Sequence, residues 1–439
     1  MQVSGRQWIK FGTWALPWLL LTIWIGNWWF LLALLIIADI HITRFVDWSL
    51  KSYNFPSKLK SLIYSIAFVL LALLISIAVK ILLFEAYKIP TPSMEASLKA
   101  GDYIFVSKLS YGPKLPNTPL SWPFLPDYFP NGRKTYAEKP LLPYKRIKGI
   151  SHVRHGDVIV FSFPEGDTMV IQYPGKNYYS LERQYGRDYI REHFDLIAPP
   201  VDRRENYIKR CMGLPGDTIS IVDGKVFVNS LQAAFLPLQK FKFYVKTNSE
   251  KLPDTVLDSL KIIKKEVTYN PATNLHVIYM TIEQSEQLRE LSMVRSIQRF
   301  IEPVLSFYNQ EIYPHNPRYR WTNDLFGPVL VPKKGNSIKL NDYNYSLYAR
   351  IIRVYEGNQL QRTEDGFVIN GKPADTYTFK MDYYFVMGDN RHNSADSRHW
   401  GFVPEDHLLG KATLIWFSIE PGKTFINGLR KDRIFTRIK

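Results

Sequence analysis

The feature that most constrains this chain is an uncharged run from Phe11 to Ala38, roughly 28 positions long. A membrane-spanning helix needs only ~20 apolar residues. A cleaved export signal would have a shorter apolar core and a small-x-small exit, whereas this run ends Ala38-Asp39-Ile40-His41. A second apolar stretch runs from Leu62 to Phe84 with Lys80 as its only charge. Its length and its Leu, Ile and Val content read as a span rather than a core helix. The expectation is therefore an anchor over residues 1–84 with two transmembrane helices, about 13–38 and 62–84. Trp14 and Trp18 lie where interfacial anchors would, while Trp24, Trp28 and Trp29 fall deeper. A hairpin broken at Gly26-Asn27 would leave each half too short to cross.

Orientation follows from the loop between the spans, which carries Arg44, Lys51, Lys58 and Lys60 against Asp39 and Asp47. Short cytoplasmic loops are enriched in Lys and Arg. This puts the loop inside, and both the N-terminus and everything after Phe84 outside. Arg6 and Lys10 pull the other way. The net charge of +16 and the 15% aromatic content suit an anionic membrane surface with Tyr and Trp at its boundary. No nucleic-acid motif accompanies the charge, so no nucleic-acid partner is expected. Cys211 is the single cysteine, which excludes an intrachain disulfide. It reads as a small buried apolar residue rather than a nucleophile.

After Phe84 the texture becomes short apolar runs separated by Gly, Pro and Asp. Val158–Phe163, Ile219–Val222 and Val226–Val228 read as strands, the last two joined by an Asp223-Gly224 hairpin turn. A second hairpin is expected near Asp365-Gly366, with further strands at Tyr383–Met387 and Ala412–Phe417. Between Ser230 and Lys380, the stretches Val256–Lys265 and Glu283–Phe300 have apolar residues at helical spacing. They suggest an α+β insertion. The soluble part then divides into a first β part at 85–230, the insertion at 231–380 and a second β part at 381–439.

Three segments carry chemistry. In Ile89-Pro-Thr91-Pro-Ser93-Met94, two prolines fix an extended backbone and hold a small hydroxyl residue just past the second span. In Tyr207-Ile-Lys209-Arg210-Cys-Met-Gly213-Leu-Pro-Gly-Asp217, alternation sends Lys209 and Arg210 to opposite faces of a strand. A buried lysine would be pushed toward the neutral amine that can accept a hydroxyl proton; an edge-strand lysine would instead oppose aggregation. The third segment, Gly388-Asp-Asn-Arg-His392-Asn-Ser394-Ala-Asp396-Ser-Arg398, is dense in turn formers. It reads either as a solvated loop or as a charge network stiffening a site wall.

These segments, in this order, resemble the bacterial type I signal peptidase family. That family combines N-terminal spans, a Pro-x-x-Ser-Met segment, a Tyr-Ile-Lys-Arg-x-x-Gly-Leu-Pro-Gly-Asp strand-turn and a Gly-Asp-Asn-Arg-x-Asn-Ser-x-Asp-Ser-Arg segment. The likeness covers about residues 60–112, 156–229 and 381–418. It implies a mainly β fold: two transmembrane helices, then a signal-peptidase-like catalytic domain carrying the α+β insertion. It implies Ser93 as nucleophile and Lys209 as general base. Thr91 and the Ser93 backbone N–H would form the oxyanion hole, and Ser394 would orient the amine. Gly388 would keep the wall free of a side chain, Asp396 and Arg398 would form a supporting ion pair, and Arg210 would support the site. Met94, Trp122 and Phe124 are expected to contact substrate or membrane, the last two within the apolar run Leu120–Pro130.

The implied partners are secreted preproteins with small residues before the cut, membrane lipids and a neighbouring export translocon. The implied location is the bacterial cytoplasmic membrane, multi-pass, with the catalytic domain on the outer side. No cofactor and no metal is expected: His152 and His155 have no metal-binding helix or Cys/His cluster beside them. His392 stands where the family often has an acidic residue, and it raises a rival Ser93–His392–Asp triad. That reading leaves the lysine strand-turn unexplained. A non-catalytic rival is a membrane-anchored β-rich binding module of the envelope.

Overall fold

The computed structural model describes the chain except residues 1–3, 26–30, 47–55, 96, 123, 130–132, 174, 235–237, 249–250, 305–308 and 439. The first apolar run is not one span. Helix α1 covers Gly5–Ile25, and a separate helix α2 covers Leu32–Ala38 and runs on as a wider turn over Asp39–Thr43. The Gly26-Asn27 break, Trp28, Trp29, Asp47 and Lys51 lie outside the described residues. The Asp39 carboxylate ends the α2 arm by accepting from the Thr43 hydroxyl and from the backbone N–H of Phe45 and Val46. Arg44 leaves the helix in the left-handed region at φ 50°.

The two arms pack against each other, and Ser4, Arg6 and Lys10 share one surface depression with His41 and Arg44. The hairpin's ends therefore lie together. A continuous helix would have held Ser4 and Arg44 far apart; the two packed arms bring them together. Helix α3, Ser57–Leu82, is the one helix among the described residues that is long and apolar enough to cross a membrane.

Only Leu83 separates α3 from strand β1, Phe84–Lys88. The main sheet continues with β2 (Asp102–Ser107), β3 (Val158–Ser162), β4 (Asn206–Gly213), β5 (Tyr383–Met387), β6 (Val403–Pro404), β7 (Leu408–Ser418) and β8 (Thr436–Arg437). Its order is β1-β2-β7-β3-β4-β5-β6, with β8 on β7, and every pairing is antiparallel. Two gaps in this pairing matter. β1 is an edge strand with β2 as its partner, and β5 pairs with β4 only from Arg210 to Gly213. Among the described residues, the β4 edge from Asn206 to Lys209 that faces away from β3 is thus left without a strand.

The 231–380 segment splits in two. Lys240–Thr247, Val267–Asn270, Leu275–Thr281 and Val294–Arg299 form a four-stranded sheet with a core of its own around Phe241, Phe243, Ile278, Met280 and Leu288. The expected helix over Glu283–Phe300 stops at Arg289 and the chain resumes as a strand from Val294. Val294 and Ile297 follow Leu288 and Leu291 at a three-residue step, which imitates a helix although the last two face β-partners. Phe326–Leu330, by contrast, completes a sheet with Thr218–Val222 and Lys225–Val228. Residues from Ile312 to Phe379 share a core with Ile219, Tyr383, Phe385 and Phe402. The Asp223-Gly224 turn has φ of 50° and 71°, the left-handed pair that a two-residue hairpin requires.

The C-terminal end of helix α1 touches the β domain, where Trp24 Nε1 donates to the Lys148 carbonyl at 3.1 Å. Single-cysteine variants Ser4→Cys and Phe45→Cys should therefore react with an impermeant thiol reagent from the same face of sealed vesicles, with buried Cys211 silent. Labelling from opposite faces would restore the single continuous span.

Candidate active site

Ser93 sits in a single helical turn, Pro92–Met94, directly after β1. Thr91 enters it extended at φ −121° because the residue before a proline is driven out of the helical region. Lys209 lies on β4. The two residues, 116 positions apart in sequence, meet with Lys209 Nζ donating to Ser93 Oγ at 2.8 Å. The amine also donates to the Ile208 carbonyl at 3.0 Å and stands 5.6 Å from the Tyr207 ring centre. Lys209 is 4% exposed and Ser93 8%. Burial lowers the Lys209 pKa to about 8, with Asp396 and Asp389 pulling weakly the other way. Thr91 Oγ1 lies 3.4 Å from Ser93 Oγ.

The Gly388–Arg398 segment closes over this pair. Asn390 N–H donates to the Ser93 carbonyl at 3.1 Å. A Cβ on Gly388 would fall 2.6 Å from that same carbonyl oxygen and 2.2 Å from Ser394 Oγ. Ser394 Oγ is buried without a hydrogen-bond partner among the described residues, so it adjoins the site without holding the amine in this state. Asp396 receives both arms of Arg398 at 2.9 and 2.8 Å and the Gly388 N–H at 3.0 Å. This pair, wholly buried, holds the Asp396 carboxyl well below its usual range, and Arg398 passes on to the Arg391 carbonyl at 2.7 Å.

Arg210 turns away from Lys209 to grip Asp389 at 2.8 and 2.7 Å. Ser97 bridges them, donating to Asp389 at 2.6 Å and accepting from Arg210 at 3.0 Å. Three chain segments are thus tied by one buried ion pair. Asp389 stood within the segment quoted from sequence, but its partner across 179 positions could not be read there.

Met94 is 0% exposed, packed in the core with Ile104, Val106 and Val158. Its side chain lies in that core, beside the Ser93 turn, rather than on the open surface. Trp122 and Phe124 are exposed at 66% and 55%, with the Lys80 amine 5.5 Å from the Phe124 ring centre at the end of α3. Cys211 is fully buried and its thiol pKa is pushed up, the reverse of what a nucleophile needs.

His392 faces the inserted sheet. Its Nε2 meets Asp324 at 2.8 Å and its Nδ1 accepts the Lys242 N–H at 3.3 Å. With both ring nitrogens engaged, it forms no triad with Ser93. The inserted sheet reaches the wall again at Lys240, whose N–H donates to the Asp389 carbonyl and whose carbonyl accepts from Arg391 N–H, each at 2.9 Å. Lys240 Nζ lies 2.5 Å from Glu266 and 3.9 Å from Glu95. Burial raises the Glu95 carboxyl to about 7 despite the nearby Lys240. None of these three had a signal in local sequence.

The family model described as "Signal peptidase, peptidase S26" matches residues 62–268 and 331–417. A "Signal peptidase I" of Buchnera aphidicola subsp. Schizaphis graminum is 25% identical over 356 residues, 80% of this chain and 74% of that protein. One from Haemophilus influenzae is 25% identical over 365 residues, covering 82% and 71%. An Aquifex aeolicus protein of the same description is 49% identical over 59 residues, 13% of this chain and 21% of its own.

Gly388→Ala should strain the wall against the Ser93 backbone, which cannot rotate aside as a side chain can. The expected cost is about 1–3 kcal/mol of stability, with a fall in hydrolytic rate. Thermal melts and turnover measured on the same preparation check both.

Proposed function

The chain belongs to the signal peptidase family, peptidase S26, and from that membership we propose that it removes N-terminal signal peptides from exported preproteins, with Ser93 as nucleophile and Lys209 as general base. The observation that carries this reading is the 2.8 Å contact between a buried amine and a buried hydroxyl. An amine lowered to about 8 is partly neutral at physiological pH. In the neutral form it can take the Ser93 proton as Oγ attacks the scissile carbonyl. Thr91 Oγ1 and the Ser93 N–H would stabilise the oxyanion, each donor worth about 3 kcal/mol. The amine then passes its proton to the leaving amino group, and a water deprotonated by Lys209 releases the acyl chain.

Substrate would lie between the two unfilled edges, β1 on one side and Asn206–Lys209 of β4 on the other, adding a strand as extended peptides commonly do. The floor there is apolar, with Ile89, Ile104, Val160 and Ile208 packed together. The closely packed wall at Gly388 favours small residues before the cut.

The β domain would face the outer side of a bacterial cytoplasmic membrane, anchored by α3 and by the hairpin of α1 and α2. The hairpin supports this placement, since Arg6, Lys10 and Arg44 gather at one end while Trp24 meets the β domain at the other. This removes the conflict that Arg6 and Lys10 posed: under the positive-inside rule the N-terminus joins the 44–60 loop in the cytoplasm. Exposed Trp122 and Phe124 would rest in the outer leaflet among lipids, close to the export translocon that delivers preproteins.

Ser93→Ala and Lys209→Ala should each lower preprotein cleavage by at least about 10³-fold without unfolding. Retained cleavage in Lys209→Ala would eliminate the dyad. The rate should rise with pH, approaching a plateau above about 8 as Lys209 loses its proton. A binding module would show no cleavage at any pH.

A further inference from the structure

A cavity of about 270 Å³ lies at the membrane end of the groove between β1 and β4. Glu85 and Tyr87 of β1 and Asn206 of β4 form its inner boundary, while Ile77, Lys80 and Ile81 of α3 form its outer one. Trp122, Phe124 and Leu125 close one flank. Asn206 stands three residues before Lys209, about 10 Å along the strand. The cavity therefore begins where the fourth or so residue before the cut would lie.

Its polar lining is unfinished. Lys114, Ser162 and Asp202 all line it, and just behind its surface their Nζ, Oγ and Oδ1 atoms are buried with no hydrogen-bond partner among the described residues. Lys114 is 8% exposed and Ser162 1%. Burial drives the Lys114 amine down to about 8, against the pull of Asp406 and Asp202. Buried polar atoms are rarely left unpaired, since each costs about 1–3 kcal/mol. Three around one cavity point to a ligand offering both acceptors and a donor. Lys80, Lys108, Lys114 and Arg203 face Glu85 and Asp202. Lys80 and Lys108 share Glu85 at 3.3 and 2.9 Å, and Arg203 pairs with Asp127 behind the wall at 3.0 Å, so the lining itself holds more cations than carboxylates.

Building on the cleavage reading above, we propose that this cavity caps the end of the substrate's membrane helix, with Lys114 Nζ and Ser162 Oγ donating to its last backbone carbonyls. A tethered signal sequence must be helical inside the bilayer and extended in the groove. At the junction four carbonyls lose their intrahelical partners, at the end of the helix that carries partial negative charge. Two unpartnered donors beside a cavity lined by more cations than carboxylates match those carbonyls once a helix end draws them forward, and Asp202 Oδ1 matches an N–H where the chain straightens. A lipid headgroup would also answer the positive charge, but it would not need an interior position continuous with the peptide groove.

The test uses the full chain in liposomes, with Lys114→Met, Ser162→Ala and the double variant. Each is assayed on a preprotein carrying its whole apolar segment and on a short peptide spanning the same cut site. The double variant should show at least a tenfold higher KM for the preprotein with kcat nearly unchanged. On the short peptide its kcat/KM should stay within twofold of the parent, which also reports that it is folded. Equal losses on both substrates, or no loss on either, would overturn the capping role. So would a loss that tracks the anionic lipid content of the vesicles instead of the apolar segment, which would mark a headgroup site. If the parent enzyme cleaves neither substrate, the peptidase reading itself falls, and capping with it.

Discussion

Everything in the β domain converges on keeping one lysine amine out of water. A lysine on a solvated strand would stay protonated far above physiological pH and could accept nothing. Lys209 escapes that state because the Ser93 turn, the Tyr207 ring and the Gly388 wall leave it 4% exposed. The neighbouring carboxylates Asp396 and Asp389 pull the amine back up, and burial outweighs them. Both are also gripped by arginines, Asp389 by Arg210 and Asp396 by Arg398. The charge network thereby fastens three distant segments around the buried amine.

The same network explains how the inserted sheet belongs to the site without entering it. Lys240 brackets the wall through Asp389 and Arg391, and His392 reaches back to Asp324. The insertion's core is separate, yet its backbone supports the loop that presses on Ser93. Rigid support of this kind costs little once the sheet is folded, because the bonds are made between groups that are already ordered.

Much of this could be read beforehand where local chemistry restricts the backbone. The prolines around Ser93, the Asp223-Gly224 turn and the alternation that buries Lys209 each act within a few residues, and their consequences survive folding. What escaped depends on pairing at long range. Hydropathy counts charges but not the path of the chain, so an uncharged run broken into two packed arms looked like one helix. The strand Val294–Arg299 carried a helical spacing because a register shift at Arg295 sets Val294 and Ile297, both packed on the insertion's core, three residues apart. Met94 sat beside the nucleophile in sequence, yet the turn at Pro92 directs its side chain inward. His392 looked like a candidate base until Asp324, 68 positions away, claimed its ring.

The single residue between α3 and β1 has a mechanical meaning. A flexible tether would let Ser93 sample many heights relative to α3. Here a helix passes almost directly into a strand that is paired along its whole length with β2, and Ser93 follows after a proline-stiffened step. The Ser93 hydroxyl is mounted on a strut about 17 Å long for the strand alone. Under the proposed cleavage such a mounting would work as a gauge, selecting the bond to be cut by elevation above the membrane as well as by the side chains that flank it.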